Sequence, residues 1–199
     1  MIMQFAPGAY RWAGVPMLVG GVAGLVYPPL ALFGFLLGIG ALLFFRDPDR
    51  SPPPDGILAP ADGRVSVVRE EEGRVRLGVF MGPWNVHVNR APIGGEIQAV
   101  DHEPGGHRPA FSKSSEHNER LTVTFEDHEV VLITGAFARR ITPYVEEGTR
   151  LSRGQRIGHI AFGSRVDTLL PPEIGLDDVA VSKGQRVKAG ETVVVSEEK

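Results

Sequence analysis

The dipeptide Gly163-Ser164 lies between an apolar, strand-like run and an acidic segment closed by two prolines (residues 161–172, AFGSRVDTLLPP). A serine hydroxyl becomes a nucleophile once a base accepts its proton. Glycine and serine are also common in tight turns, where glycine supplies a positive φ. The local sequence therefore leaves two interpretations of Ser164 open, a turn residue or a reacting one.

A second group of polar residues is embedded in the apolar stretch at residues 80–97 (FMGPWNVHVNRAPIGGEI). His87 lies between two valines, so on a strand its side chain faces the opposite side from theirs. Asn89 and Arg90 follow it, and a guanidinium can hold a phosphate or a carboxylate with two hydrogen bonds. His87 is either a hydrogen-bonded structural residue or part of a polar site.

Two further groups of residues have both a structural and a functional interpretation. Asp62, in APADGRV, is followed by glycine and precedes a strand pattern, which is typical of a turn and also places a carboxylate at a strand end. Arg139 and Arg140 form the cationic edge of a strand in GAFARRI. They face either water or an anionic headgroup.

Composition excludes several classes of function. The 199 residues carry a formal net charge of −3 without a clustered basic face, so no nucleic-acid partner is predicted. The absence of cysteine excludes disulfides, thiolate nucleophiles and cysteine–zinc sites. The histidines lack metal-ligand spacing, and no phosphate-binding glycine loop is present. We therefore predict neither a metal nor a nucleotide site.

The first 50 residues have the pattern of a membrane anchor. No charged residue occurs between Arg11 and Arg46, and Pro28-Pro29 divides this stretch into two apolar arms of roughly 16 residues. A helix of that length reaches only about 24 Å, against about 30 Å for the hydrocarbon core. The pattern favours a helical hairpin inserted from one side, with both flanking arginines cytoplasmic. A buried hairpin of a soluble protein is the alternative.

Residues 51–199 are predicted to form a mainly β domain after the breaker SPPPDG. Two short segments echo each other, GTRLSRGQRI at 148–157 and GQRVKAGETV at 184–193. Glycines at such intervals suit tight turns in a compact β sandwich with an internal pseudo-repeat. This pattern resembles lipoyl and biotinyl carrier domains and other barrel-sandwich folds, which is a likeness of fold only.

The order and spacing of several motifs across residues 44–195 resemble the short, prokaryotic-type phosphatidylserine decarboxylase proenzymes. These motifs are FFRDP, APADGRV, WNVHVNRAPIGG, GAFARRI and FGSRVD. The resemblance implies self-cleavage between Gly163 and Ser164, which converts Ser164 into a covalent pyruvoyl group. It implies a β chain (1–163) and an α chain (164–199) that associate as a heterodimer or a higher oligomer. The implied reaction converts phosphatidylserine to phosphatidylethanolamine and CO₂.

The resemblance also implies residue roles. Asp62 and His87 match residues that, with Ser164, form a proton relay for self-cleavage, while Asn89 and Arg90 are candidates for substrate binding. Longer members carry another histidine where this chain has Trp84, so the group that transfers a proton during decarboxylation stays open. The implied location is the cytoplasmic face of the cell membrane, peripheral or held by the hairpin.

Three alternatives are weighed against this interpretation. An ether-linked serine lipid would undergo the same pyruvoyl chemistry. A carrier module needs a modifiable lysine at a hairpin tip, whereas Lys183 and Lys188 lie within the echo. A zinc peptidase needs an HxH pair, which the chain lacks, and an inert membrane-anchored β domain would use none of these motifs.

Overall fold

The computed structural model describes residues 4–106, 118–135, 140–161 and 164–196. The chain divides into two compact units, Met1–Asp49 and Arg50–Lys199. Gly163 and Arg139, both named above, lie outside the described residues.

The first unit consists of two helices of 16 residues and one short strand pair. The helices are α1 (Ala9–Gly24) and α2 (Pro29–Phe44), and the strands are β1 (Gln4–Phe5) and β2 (Arg46–Asp47), which pair antiparallel. Proline suits the first turn of α2 because its missing N–H has no partner within a helix there. Within the described residues, no helix has both the length and the apolar character needed to cross a membrane.

Small residues allow α1 and α2 to pack closely side by side. A Cβ atom added at Gly20 would lie 2.7 Å from the Cα of Gly34, and one at Gly24 would lie 2.5 Å from the Cβ of Ala31. Small residues four positions apart are a usual device for close helix packing. Large apolar side chains on the outer faces stay exposed: Tyr10, Val15, Leu18, Val19, Val22, Leu32, Phe33, Phe35 and Leu36.

Gly20→Leu should separate the two helices, because overpacking at a tight contact costs about 1–3 kcal/mol. Hydrogen exchange followed by mass spectrometry should show faster exchange across residues 9–44. Gly21→Leu is the matched control, since a Cβ at Gly21 meets no atom within 4 Å. Equal effects of the two substitutions would contradict the predicted contact.

In its described residues, the second unit consists of β strands and one short 3₁₀ helix, Leu176–Asp178. In chain order the strands are β3 (Ile57–Leu58), β4 (Gly63–Glu71), β5 (Arg74–Met81), β6 (Val88–Arg90), β7 (Gly95–Glu96), β8 (Ala99–Glu103), β9 (Arg120–Thr124), β10 (Glu129–Thr134), β11 (Arg140–Pro143), β12 (Arg150–Leu151), β13 (Arg156–Ala161), β14 (Ser164–Leu169), β15 (Arg186–Val187) and β16 (Val193–Val195).

A seven-stranded antiparallel sheet carries most of the core. Its order is β15-β4-β5-β14-β10-β9-β8, so β15 and β8 are its edges and the sheet is open. A row of buried side chains crosses five of its strands: Val65, Val79, Val166, Leu132 and Leu121. Because side chains alternate along a strand, this row defines the core face of the sheet.

The smaller sheets complete the same domain. A three-stranded sheet has the order β11-β13-β6, and two-stranded pairs join β12 with β7 and β16 with β3. The buried cluster includes residues from both the large sheet and these smaller ones, among them Leu132, Ile160 and Val194. The structure thus confirms a mainly β chain preceded by two N-terminal helices.

The glycines of the two echoing segments occur in turns. Gly148, Gly154, Gly184 and Gly190 have φ values of 78°, 80°, 91° and 71°, a region that favours glycine. The turns SRGQ and SKGQ each contain the same kind of hydrogen bond. In each turn the N–H of the serine, Ser152 or Ser182, donates to the side-chain oxygen of the glutamine three residues later. These glycines therefore permit the turns.

His128 makes the stability of the β9–β10 hairpin sensitive to acid. Its ring stacks on Phe125 at 4.2 Å, and its Nε2 atom is buried with no hydrogen-bond partner in the described part of the chain. Burial lowers the pKa of His128 below its usual range, and the Nδ1 contact with Asp127 offsets only part of that effect. Protonation therefore favours the unfolded chain.

Stability should consequently fall as the pH drops below the unfolded histidine value of about 6.5 and towards the lower folded value. Thermal melts at pH 8 and pH 5 should show a smaller loss in His128→Gln than in the unaltered protein. His102→Gln is the control, because His102 is half exposed and bonded to Glu119. An unchanged pH dependence in His128→Gln would contradict the prediction.

Candidate active site

Ser164 is the first residue of β14 and is fully buried on the core face of the large sheet. Its register partners are Met81 on β5 and Thr134 on β10. The hydroxyl oxygen, Oγ, has no hydrogen-bond partner in the described part of the chain. Buried hydroxyls are normally satisfied, so an unsatisfied one suggests a chemical role. Ser164 thus occupies a strand rather than a turn.

His87 lies immediately before β6 and is 2% exposed. Its Nδ1 atom is 2.9 Å from the main-chain oxygen of Asn85. Because a carbonyl oxygen can only accept, this contact requires the proton on Nδ1 and leaves the lone pair of the neutral ring on Nε2. The loop thereby selects the tautomer in which Nε2 can act as a base.

One contact links the strand that follows His87 to the strand that pairs with Ser164. Asn89 is fully buried, and its side-chain nitrogen lies 3.4 Å from the sulfur of Met81. Met81 is the register partner of Ser164, and Asn89 is two residues beyond His87. Residues two apart on an extended chain share a face. The fold thus brings the segment containing His87 next to the strand pair that holds Ser164.

Asp62 accepts three hydrogen bonds from two residues of other segments. Arg50 donates to both carboxylate oxygens, at 3.0 and 2.9 Å, and the N–H of Ala189 donates to Oδ1 at 2.8 Å. In the described part of the chain the carboxylate makes no hydrogen bond to His87. The structure therefore brings Asp62 together with Arg50, and a bond from the Nδ1 atom of His87 to Asp62 would have to replace its bond to Asn85.

Sequence reasoning did not identify Arg50 as a residue of the candidate site. Its side chain is 7% exposed and also lies 3.4 Å from Glu191. The only sequence signal is a cation in RDPDR, directly before the proline-rich breaker. No spacing rule connects it with an aspartate 12 positions later, because the pairing depends on how two loops meet.

Arg90, predicted as an anion ligand, is 6% exposed and donates to the main-chain oxygen of Gly154 at 3.0 Å. A Cβ atom added at Gly190 would lie 2.9 Å from its Cδ atom. Arg90 therefore packs between the glycine turns, where it stabilises the fold. The substrate-binding roles of Arg90 and Asn89 stay predictions.

Asp167 is a second residue that sequence reasoning did not identify. It is fully buried, with carboxylate oxygens 2.8 Å from Arg165 and 3.2 Å from Arg76. It lies opposite Gly78, where an added Cβ would be 2.7 Å from its Oδ1. The glycine thus makes room for the carboxylate. This ion-pair cluster anchors β14 three residues after Ser164.

A second buried histidine lies on the neighbouring strand. His159 is 4% exposed, and its Nδ1 atom is 2.8 Å from the hydroxyl oxygen of Tyr144. Its register partner is Val88, the residue after His87. His87 lies before β6 and bonds to Asn85, whereas His159 lies on β13 and bonds to Tyr144. The two histidines therefore belong to different environments.

Comparison with known proteins identifies the family. The sequence profile of the family described as phosphatidylserine decarboxylase matches residues 39–195, which is most of the chain. The chain belongs to the phosphatidylserine decarboxylase family. Its members are carboxy-lyases of phospholipid biosynthesis that are made as proenzymes. The candidate site, from Asp62 to Asp167, lies wholly within the matched residues.

Curated relatives of the phosphatidylserine decarboxylase family align over most of this chain. A Halobacterium salinarum protein named as an archaetidylserine decarboxylase proenzyme is 54% identical over 94% of this chain and 96% of its own length. The phosphatidylserine decarboxylase proenzyme of Thermobifida fusca is 45% identical over 96% and 92%. That of Streptomyces griseus is 52% identical over 78% and 74%. No solved structure matches the chain.

Proposed function

We propose that this chain cleaves itself between Gly163 and Ser164 and then decarboxylates phosphatidylserine with the pyruvoyl group formed from Ser164. The observation that carries this proposal is the buried Ser164 hydroxyl, which has no hydrogen-bond partner in the described part of a family member. An unsatisfied buried hydroxyl costs free energy, so its retention is easier to explain by chemistry than by packing.

The first step is an acyl shift. The Oγ atom of Ser164 attacks the carbonyl carbon of Gly163, the C–N bond breaks, and an ester replaces the peptide bond. The Nε2 atom of His87 accepts the hydroxyl proton and returns it to the departing nitrogen. The Asn85 carbonyl keeps the ring in the required tautomer. We assign Asp62 to the relay as an acceptor that replaces the Asn85 carbonyl at Nδ1 of His87.

The second step removes the ester and forms the ketone. A base takes the Cα proton of residue 164, and the Gly163 carboxylate leaves from Cβ. Water then hydrolyses the remaining enamine in its imine form, and ammonia departs. The products are residues 1–163 with a free carboxyl end and residues 164–199 with a keto group at the new end. Atoms and electrons balance without an added oxidant or reductant.

Pairing on both sides holds the new α chain in place. β14 pairs along its length with β5 and β10, which would both belong to the β chain. The carboxylate of Asp167 joins the two chains through Arg76, at 3.2 Å. These contacts favour a tightly associated heterodimer, and a higher oligomer stays open.

The pyruvoyl group supplies a ketone that withdraws electrons as CO₂ leaves the amino acid headgroup. The residues of this chain would bind and orient the headgroup beside the ketone and transfer protons to it. Met81 and Thr134 fix the strand end through its register, and His87 is the described group that we assign to proton transfer nearby. Trp84 offers no titratable proton at neutral pH, so His87 or a bound water takes the later step.

The proposed substrate carries a serine headgroup, and a second lipid is a specific alternative. The 54% identical relative from Halobacterium salinarum is named for archaetidylserine, whereas other relatives are named for phosphatidylserine. The CO₂-releasing chemistry acts on the headgroup, which does not depend on how the chains are attached. Assays with matched acyl and ether lipids would separate the two substrates.

We also propose that the first unit attaches the protein to the cytoplasmic face of the membrane. The close packing of α1 and α2 leaves a large apolar surface exposed, including Leu18, Val22 and Phe33. Such side chains favour the interior of a bilayer leaflet. The arginines at its ends, Arg11 and Arg46, would stay at the headgroups.

The intact mass of the purified protein tests the proposed chemistry. We expect two chains that correspond to residues 1–163 and 164–199, the smaller one without an α-amino group and reactive towards hydroxylamine. An active preparation that contains only the uncleaved chain would exclude the pyruvoyl mechanism. Release of CO₂ from phosphatidylserine vesicles by the same preparation tests the activity.

A further inference from the structure

Two arginines face each other at the β15 edge of the large sheet. Arg186 and Arg64 are register partners, so their side chains lie on one face. Arg64 donates one hydrogen bond, to the main-chain oxygen of Gly184 at 2.9 Å. In the described part of the chain neither guanidinium has a carboxylate within 4.0 Å. Like charges placed opposite each other destabilise a sheet, so this pair requires an explanation.

The other arginines on the described strands of the large sheet have acidic neighbours. Each of the other arginines on its described strands lies within 4.0 Å of an acidic side chain: Arg69, Arg74, Arg76, Arg120 and Arg165. The missing partner at the β15 edge is therefore a local feature of the fold rather than a general property of this surface.

The two arginines line a cleft of about 550 Å³ together with Lys188. Lys188 lies 3.7 Å from Glu191, which Arg50 also contacts. Asp62 lines the same cleft, but Arg50 and the Ala189 N–H already bind its carboxylate. The remaining charge of the cleft is positive, so it favours an anion.

The cleft shares Asp62 with the candidate active site, and it lies where β4 begins and β5 ends, with the side chains of Arg64 and Ser164 on opposite faces of the sheet. Gly82 lines the cleft and directly follows Met81, the register partner of Ser164. Asn85 also lines it, and the carbonyl of Asn85 holds His87. Trp84, 87% exposed, completes this wall. Tryptophan combines an apolar ring with a polar N–H group, which suits the boundary between lipid headgroups and water.

We infer that Arg64 and Arg186 bind the phosphodiester of the serine-lipid headgroup; this inference rests on the proposed function. The substrate offers two anions, a phosphodiester and a carboxylate. Ion pairs to the carboxylate would stabilise the ground state and weaken as CO₂ forms, which slows decarboxylation. The phosphodiester keeps its charge throughout, so arginines can hold it without that penalty. A planar guanidinium can donate two hydrogen bonds to the two non-bridging oxygens of the phosphodiester.

Glycerophosphoethanolamine tests this assignment, because it has the phosphodiester but no carboxylate and no acyl chains. Calorimetry on the purified, processed protein should show binding that weakens about 10- to 100-fold in Arg64→Gln/Arg186→Gln, the range for lost charged hydrogen bonds. The matched control is Arg69→Gln/Arg150→Gln, which removes two exposed charges outside the cleft. The control should bind as the unaltered protein does.

The kinetic counterpart uses a short-chain soluble phosphatidylserine. KM should rise by a similar factor in the cleft variant, with kcat within about twofold, because binding that is equal in ground and transition states affects KM alone. The inference is overturned if glycerophosphoethanolamine binds the cleft variant and the unaltered protein equally, or if the control weakens as much. It is also overturned if inorganic phosphate binds as tightly as glycerophosphoethanolamine.

Failure of this inference is distinguishable from failure of the proposed function. If the cleft variant loses glycerophosphoethanolamine binding while the unaltered protein releases no CO₂ from phosphatidylserine, the anion site stands and the proposed reaction fails. If CO₂ is released and the variant keeps its affinity, the reaction stands and the arginines have another role. Thermal melts of each variant show whether it is folded.

Discussion

Ser164→Ala should leave the chain uncleaved and reduce CO₂ release to the uncatalysed rate. The substitution removes the one oxygen that can attack the Gly163 carbonyl in our mechanism, so the ketone never forms. Because enzymes commonly accelerate reactions by 10⁶-fold or more, we expect no activity above background. Denaturing electrophoresis measures cleavage, and trapped ¹⁴CO₂ from carboxyl-labelled lipid measures turnover.

Two companion variants make the Ser164→Ala result specific. Ser164→Cys keeps a nucleophile of similar size, so it should still cleave, through a thioester in place of the ester. Ser152→Ala changes a serine whose N–H caps a distant turn, so cleavage should be normal. Cleavage of Ser164→Ala at the same bond, or its failure in Ser152→Ala with a folded domain, would contradict the assignment.

His87→Ala should slow self-cleavage by about 10²- to 10⁴-fold, the usual contribution of a general base. The Asn85 carbonyl fixes the tautomer with a basic Nε2, and alanine has no lone pair that could replace it. The rate can be followed by mass spectrometry of freshly translated protein. Added imidazole should restore part of it, because a diffusible base can occupy the space left by the ring.

His159→Gln is the matched control for His87→Ala, because both histidines are buried and His159 pairs with Val88, the residue after His87. His159 bonds to Tyr144 and not to the loop carbonyl that holds His87. We expect the folded His159→Gln variant to cleave itself at the normal rate. If both variants lose cleavage equally, and imidazole restores neither, packing of the small sheet explains the result and His87 is not the base.

The organisation of the fold could be predicted from local pattern. Charge-free sequence broken by Pro28-Pro29 predicts two short helices, and the structure has α1 and α2 on either side of that break. Strand-like alternation after residue 51 predicts a mainly β unit. Both properties depend on neighbours along the chain, since helix length and side-chain alternation are set within a few residues.

The site could be predicted only in part. The family motifs lead to Ser164, His87 and Asp62, but not to the residues that neutralise or hold them. Arg50 pairs with Asp62 across two loops, and the carboxylate of Asp167 occupies the space beside Gly78 on the neighbouring strand. Such partners are distant in sequence, so no local periodicity indicates them. The contact of Arg90 with Gly154 likewise joins distant residues, and the predicted role of Arg90 in substrate binding stays a prediction.

By itself, then, the sequence determined the family and the mainly β organisation after two helices, and it predicted Ser164 as the reacting serine. The tertiary structure decided that Ser164 is a buried strand residue with an unsatisfied hydroxyl and that Asn85 selects the tautomer of His87. It also decided that Arg64 and Arg186 meet without an acidic partner in the described chain. Burial and charge balance depend on strand register, which joins residues more than 100 positions apart in the sequence, whereas the tautomer depends on the conformation of one loop.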